Sequence, residues 1–160
     1  ALEYYNNALE IYLPVFGDCH PYVGTIYNNI GLVYIEQGKY EKALEYHNKA
    51  LEIKLDVLGD RHPSVGDTYN NMANVYSEQG EYEKALEYYN KALEIYLPVL
   101  GEGYPIVGDI YYNMALLYKT QAQKEKERQN FLLAAEVYEN AYGKEHSKVI
   151  NALAQAQACL

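Results

Sequence analysis

At 160 residues, 49% of them apolar, the chain is long enough to bury one full hydrophobic core. A formal charge of −9 argues against nucleic acid or an anionic membrane surface as partner, since both need clustered Lys and Arg. No run approaches 18 apolar residues and no secretory leader is legible, while two cysteines without a CxxC spacing (Cys19 and Cys159) suit a reducing, cytoplasmic setting.

Apolar residues recur at helical spacing along the whole chain. Residues 1–15 read as a helix, followed by helix pairs at 21–37 and 40–57, 63–79 and 82–99, and 105–121 and 124–141, with a last helix at about 147–158. In the middle pair Tyr69, Met72, Ala73 and Tyr76 form one stripe, and Tyr82, Ala85, Leu86, Tyr89 and Leu93 form the other. Gly80 offers the positive φ that ends the first helix, Gly59 and Gly101 end second helices, and Pro63 and Pro105 suit first turns. Pro14 and Pro98 fall inside final turns, where they predict a kink or early fraying.

The pairs are copies of one another. Residues 17–58 and 59–100 agree at about 30 of their 42 positions, and residues 101–142 continue the series through Gly101, Pro105, Val107-Gly108, Tyr111, Asn113 and Met114-Ala115. A fixed period of this length marks a stack of one supersecondary unit. The chain is therefore predicted to be all-α, a single solenoid segment over 1–160. It would hold the second helix of a truncated repeat (1–16), three repeats (17–58, 59–100, 101–142) and a capping helix (143–160). Opening in mid-repeat, it is expected to be part of a longer array. The last repeat departs from its siblings: Gly38 and Gly80 become Ala122, Tyr40 and Tyr82 become Lys124, and Ala43 and Ala85 become Glu127. That suits an end unit with a polar outer face. It leaves open whether the turn near 122 survives or two helices merge. The alternating run Lys124 to Arg128 reads as a solvated helix face.

Tyr69, Met72-Ala73, Tyr76, Gly80, Tyr82, Ala85, Tyr89 and Ala92 together resemble the tetratricopeptide repeat. The 42-residue period and the wording Leu58-Gly59, Asp60, His62-Pro63, Val65-Gly66, Tyr69-Asn70-Asn71 are similar to the kinesin light chain type of that repeat. The resemblance implies a right-handed superhelix of antiparallel helix pairs, whose first helices line a concave groove that holds peptide segments of other proteins. It does not imply which partner, because fold does not decide function.

Comparison of the copies locates that groove's lining, because residues at repeating interfaces must themselves repeat. In the first helices the positions that differ are Thr25/Asp67/Asp109, Ile26/Thr68/Ile110, Asn28/Asn70/Tyr112, Leu32/Asn74/Leu116 and Ile35/Ser77/Lys119. All but the second set share one helix face, and the family resemblance assigns that face to the groove. Asn28, Asn29, Asn70, Asn71, Asn74 and Asn113 stand in helix interiors, where each costs up to about 0.7 kcal/mol relative to alanine. An amide both donates and accepts, so it can pair with the backbone of an extended peptide. With units about 10 Å apart and a strand rising about 3.3 Å per residue, one asparagine per unit meets every third peptide residue. The alternative is that one member of each pair bonds to the neighbouring helix and only secures packing. The predicted peptide-binding residues are Asn28, Asn29, Leu32, Ile35, Asp67, Asn70, Asn71, Asn74, Asp109, Tyr112, Asn113, Leu116 and Lys119, with Tyr112 as an aromatic anchor. Some relatives grip a terminal carboxylate with Lys and Arg beside such asparagines. Here Asp67 and Asp109 stand there, which favours a neutral or basic segment.

Other chemistry is not assembled. His20, His62 and His146 recur with the period, so they sit at equivalent turns too far apart to share a metal, and read as turn caps. Tyr27, Tyr34, Tyr69, Tyr76, Tyr111 and Tyr118 read as core, and Gly24, Gly66 and Gly108 as points of close helix approach. No nucleophile–base set, paired carboxylates or phosphate-cradling loop is legible, so neither enzymatic activity nor a cofactor is expected. The sequence reads as a protein-binding scaffold. The alternatives are an architectural spacer that self-associates through its truncated end, or a sensor arm of a larger multidomain protein.

Overall fold

The computed structural model describes residues 1–160 and consists of eight helices and no strand. They are α1 (Leu2–Phe16), α2 (Pro21–Glu36), α3 (Tyr40–Leu58), α4 (Pro63–Glu78), α5 (Tyr82–Leu100), α6 (Pro105–Thr120), α7 (Lys124–Tyr142) and α8 (Ser147–Ala158). Every end lies within one residue of its predicted place, and α1 and α5 run on past Pro14 and Pro98 to Phe16 and Leu100. No helix is long and apolar enough to cross a membrane. The chain forms two compact units, Ala1–Ile95 and Tyr96–Leu160.

The repeated turns explain the regular helix bounds. His20, His62 and His146 are N-caps whose Nδ1 accepts the backbone N–H two residues on, at 3.2, 3.1 and 3.2 Å. Between first and second helices the chain closes a Schellman motif. After α2, Lys39 N–H bonds to Tyr34 C=O and Gly38 N–H to Ile35 C=O, both at 2.9 Å. Gln123 with Tyr118 and Ala122 with Lys119 form the same pair of bonds after α6, at 2.9 and 3.0 Å. The turn at 122 is thus retained, although Ala122 must adopt a φ of 56° there.

In the first unit α2 lies against α3 at almost backbone contact. A Cβ on Gly24 would stand 3.2 Å from Ile53 Cγ2, and one on Gly31 2.7 Å from His47 Cε1. Val23, Ile30, Ala43 and Ala50 fill this seam, and Val65, Met72 and Ala73 fill the next. In the second unit α6 approaches α7 in the same way, with a Cβ on Gly108 falling 2.7 Å from Tyr138 Cε1. Helix α8 covers α7 through Val149 and Ala152 against Ala134, Ala135 and Tyr138, while Ala156 meets Phe131 and Ala115.

Two expectations need correction. Tyr27, Tyr34, Tyr69, Tyr76, Tyr111 and Tyr118 are half-buried rather than fully core: Tyr111 packs against the cluster of Ala134, Ala135 and Tyr138, and those of the first unit lie between first and second helices. There Tyr46 packs against Tyr27 and Tyr34, and lysines such as Lys42 and Lys49 lie over the rings. The fully buried tyrosines are Tyr89 and Tyr96. Glu127 does not belong to a solvated face: it is buried and bonds to Cys159, whose thiol pKa is raised by burial and by that contact.

Because Ala122 holds a left-handed conformation that costs an L-residue about 1–2 kcal/mol, Ala122→Gly is expected to stabilise the chain. After allowing for the greater unfolded-state entropy of glycine, the gain should be about 0.5–1 kcal/mol, read as a rise of a few degrees in the thermal midpoint. An unchanged or lowered midpoint would show that the turn carries no such strain.

Candidate functional site

Adjacent asparagines in a helix point about 100° apart, so the members of each pair face different surroundings. In α2, Asn28 is buried between α3 and α4. Its Oδ1 accepts from His47 Nδ1 at 3.2 Å and from Asn71 Nδ2 at 3.3 Å. Its acceptor is therefore engaged within the chain, and Asn28 belongs to the packing rather than to an exposed face. Asn29 is half-buried and its amide has no partner within the chain. Leu32 is 38% exposed one turn on, with Ile35 half-buried beyond it.

On α4, Asp67 is exposed and Asn70, Asn71 and Asn74 are half-buried. Asn71 gives one N–H to Asn28, leaving its second N–H and its oxygen. Asn74 accepts the Tyr89 hydroxyl at 2.5 Å. The Asn70 Oδ1 atom is buried with no hydrogen-bond partner. Beneath this helix Lys54, nearly inaccessible, donates to Ser64 C=O at 3.1 Å and to Thr68 Oγ1 at 2.9 Å, and burial lowers its pKa.

On α6, in the second unit, Asp109 is not a vacant charge. It accepts from the Tyr138 hydroxyl at 2.7 Å and from Lys148 Nζ at 2.6 Å. Burial first, and the bond to Asp109 second, raise the Tyr138 pKa. Tyr112 packs edge-on against Phe131 at 5.1 Å, and its hydroxyl receives Asn151 Nδ2 at 3.2 Å. Asp109, Tyr112, Tyr138, Lys148 and Asn151 line a cavity of 200 Å³. Asn113 is half-buried without a partner for its amide, Leu116 is 39% exposed, and Lys119 at the end of the helix reaches Gln155 at 3.5 Å.

The predicted residues thus sort into two sets. Asn29, Leu32, Asp67, Asn71, Asn113, Leu116 and Lys119 lie on accessible faces of the first helices, and Ile35 is half-buried. Asn28, Asn74 and Tyr112 meet His47, Tyr89 and Phe131 of second helices, Asp109 is held by Tyr138 and Lys148, and the Asn70 oxygen is buried. Sequence reasoning missed His47, Lys148 and Asn151. His47 was detectable, because Tyr5, Tyr89 and Phe131 occupy its place in the other copies. No group of three or more His, Cys, Asp or Glu is placed to hold a metal ion.

A family profile described as tetratricopeptide repeat matches residues 1–56, 25–97 and 64–140. No curated protein matches. Among solved structures, BtubC (BKLC) from P. vanneervenii is similar with a TM-score of 0.65 and 22% identity, over 88% of this chain. That match takes in 64% of BtubC, so this chain spans less than two thirds of its length. A kinesin light chain candidate from Podosopora anserina with nearly identical TPR-like repeats gives a TM-score of 0.81 at 16% identity, over 98% of this chain and 74% of that one. A singly substituted form of the same protein gives the same values. At these identities the likeness is one of fold.

Burial, and to a lesser degree the Lys54 ammonium, push the His47 pKa down to about 4. In the unfolded chain an imidazole takes up its proton near pH 6.5, so between about 6.5 and 4 the unfolded state binds more protons and stability rises with pH. The contribution is complete above that window and is lost as pH falls through it, by about 3 kcal/mol in all. Urea midpoints should therefore fall from pH 6.5 to 4.5, and His47→Phe should flatten the slope. Equal slopes in the two proteins would contradict the assignment.

Proposed function

The chain belongs to the tetratricopeptide repeat family, and from that premise we propose that it is a non-enzymatic scaffold whose first helices hold an extended peptide segment of a partner protein. The observation that carries the reading is the accessible amides of Asn29, Asn71 and Asn113, of which Asn29 and Asn113 have no bond within the chain. A helix-interior amide with donor and acceptor both open suits the alternating N–H and C=O of an extended backbone. Leu32 and Leu116, one turn on, add apolar surface for side chains. Lys148 answers the charge of Asp109, so a neutral segment suits the second unit better than a basic one. Both cysteines are unpaired thiols, which supports a reducing, cytoplasmic setting.

A second reading, a self-associating spacer, draws on the exposed Tyr4, Ile11 and Val15 of α1. Sedimentation separates the two: a concentration-independent monomer would remove the spacer.

A random-peptide display selection against the chain should enrich binders of low net charge. Asn29→Ala with Asn113→Ala removes no bond within the chain, so folding should be retained. Affinity for the selected peptides should drop by about tenfold or more, as expected for two lost hydrogen bonds. Unchanged affinity would end the peptide reading.

A further inference from the structure

Within the second unit, the polar groups lining the 200 Å³ cavity between α6, α7 and α8 are only partly engaged. Asp109 accepts the Tyr138 hydroxyl and the Lys148 ammonium on one oxygen, Oδ1, at 2.7 and 2.6 Å, and its Oδ2 has no bond. Lys148 Nζ also lies 5.0 Å from the centroid of the Tyr138 ring and keeps further N–H groups to give. Asn151 Nδ2 donates to the Tyr112 oxygen at 3.2 Å, so the Tyr112 proton and Asn151 Oδ1 are both unused. These groups are within reach of solvent: the Asp109 and Lys148 side chains are 42% and 43% exposed, Asn151 is exposed and Tyr112 half-buried.

Stacking does not call for this set. At the same places one period earlier stand Asp67, Asn70, Tyr96, Ile106 and Asp109, and two periods earlier Thr25, Asn28, Lys54, Ser64 and Asp67. Neither the cation of Lys148 nor the amide of Asn151 recurs at its own place, although the helix pairs are built on the same plan. What Lys148 and Asn151 add is a site with donors on one pair of side chains, acceptors on another, and formal charges that cancel. A carboxylate would satisfy Lys148 and Tyr112 but stand against the open oxygen of Asp109. An ammonium or guanidinium would satisfy Asp109 and Asn151 but stand against Lys148. A carboxamide carries two N–H donors and an acceptor without charge, and meets both sides.

We propose that this cavity is a subsite for a carboxamide side chain, Gln or Asn, of the bound peptide, an inference that rests on the peptide reading and adds which side chain is selected. The amide oxygen accepts from Lys148 Nζ and the Tyr112 hydroxyl, and its NH2 donates to Asp109 Oδ2 and Asn151 Oδ1. Tyr138, bonded to Asp109 Oδ1, is a positioning residue. Asn113, on the same helix as Asp109 and Tyr112, is left to hold peptide backbone.

The test takes the peptide most enriched by the display selection and synthesises it with Gln, Glu, Met and Lys in turn at each position. At one position Gln should bind about tenfold more tightly than the other three, as expected for lost hydrogen bonds or an unanswered charge. Asn151→Ala should lower affinity for the Gln peptide and leave the Met peptide unaffected, with an unchanged melting curve, since Asn151 is exposed. Lys148→Met leaves the Asp109 charge unanswered, so the preference at that position should pass from Gln to Lys. A preference for Glu, Met or Lys in the unaltered chain, no preference at any position, or a Gln preference that survives both substitutions would each overturn the subsite. If Asn29→Ala with Asn113→Ala still weakens binding, those results leave the peptide reading standing. A chain that enriches no peptide removes both.

Discussion

The separation between the two helices of one unit is the constraint on which the rest depends. At Gly31 and Gly108 there is no room even for a methyl group beside His47 and Tyr138. Helices held this close have fixed rotation about their axes, because only the glycine-bearing side can enter the contact. With rotation fixed, the outward residues follow automatically, and the two members of an Asn-Asn pair are sent to different environments. Accessible amides are thus a by-product of a tight internal contact.

Much of this was legible in the sequence because each helix boundary is written three times. His62-Pro63, Gly80 and Gly59 act through local backbone chemistry, caps and turns, which carries over from copy to copy without reference to tertiary structure. The turn at Ala122 was not decidable in that way. The Schellman bonds hold it in place, and they are backbone bonds that no side-chain pattern reports.

The candidate site was only half legible, for a physical reason. Differences between copies arise where a residue is solvent-exposed, and also where its buried partner differs. Asn28, Asn70 and Tyr112 vary for the second reason in at least two copies: Asn28 answers His47, and Tyr112 answers Phe131. Reading variation in first helices alone therefore merged an inward set with an outward one. Glu127 was misplaced by the same shortcut, since its partner Cys159 lies far along the chain. Asp109 likewise looked like an open charge because Lys148 lies outside the repeat that contains it.

The Lys54 contact has a consequence for how such a chain keeps its order. Tandem copies this alike invite a repeat to stack on the wrong neighbour, since most seams would accept any copy. Lys54 stands where Tyr12, Tyr96 and Tyr138 stand, and Thr68 where Ile26 and Ile110 stand. Paired, the ammonium finds the threonine hydroxyl and a carbonyl. Against isoleucine it would be an ammonium sealed in with one acceptor fewer, and a tyrosine opposite Thr68 would not reproduce its donors. The two exchanged residues work as a key and its lock, naming which copy follows which in an otherwise interchangeable series.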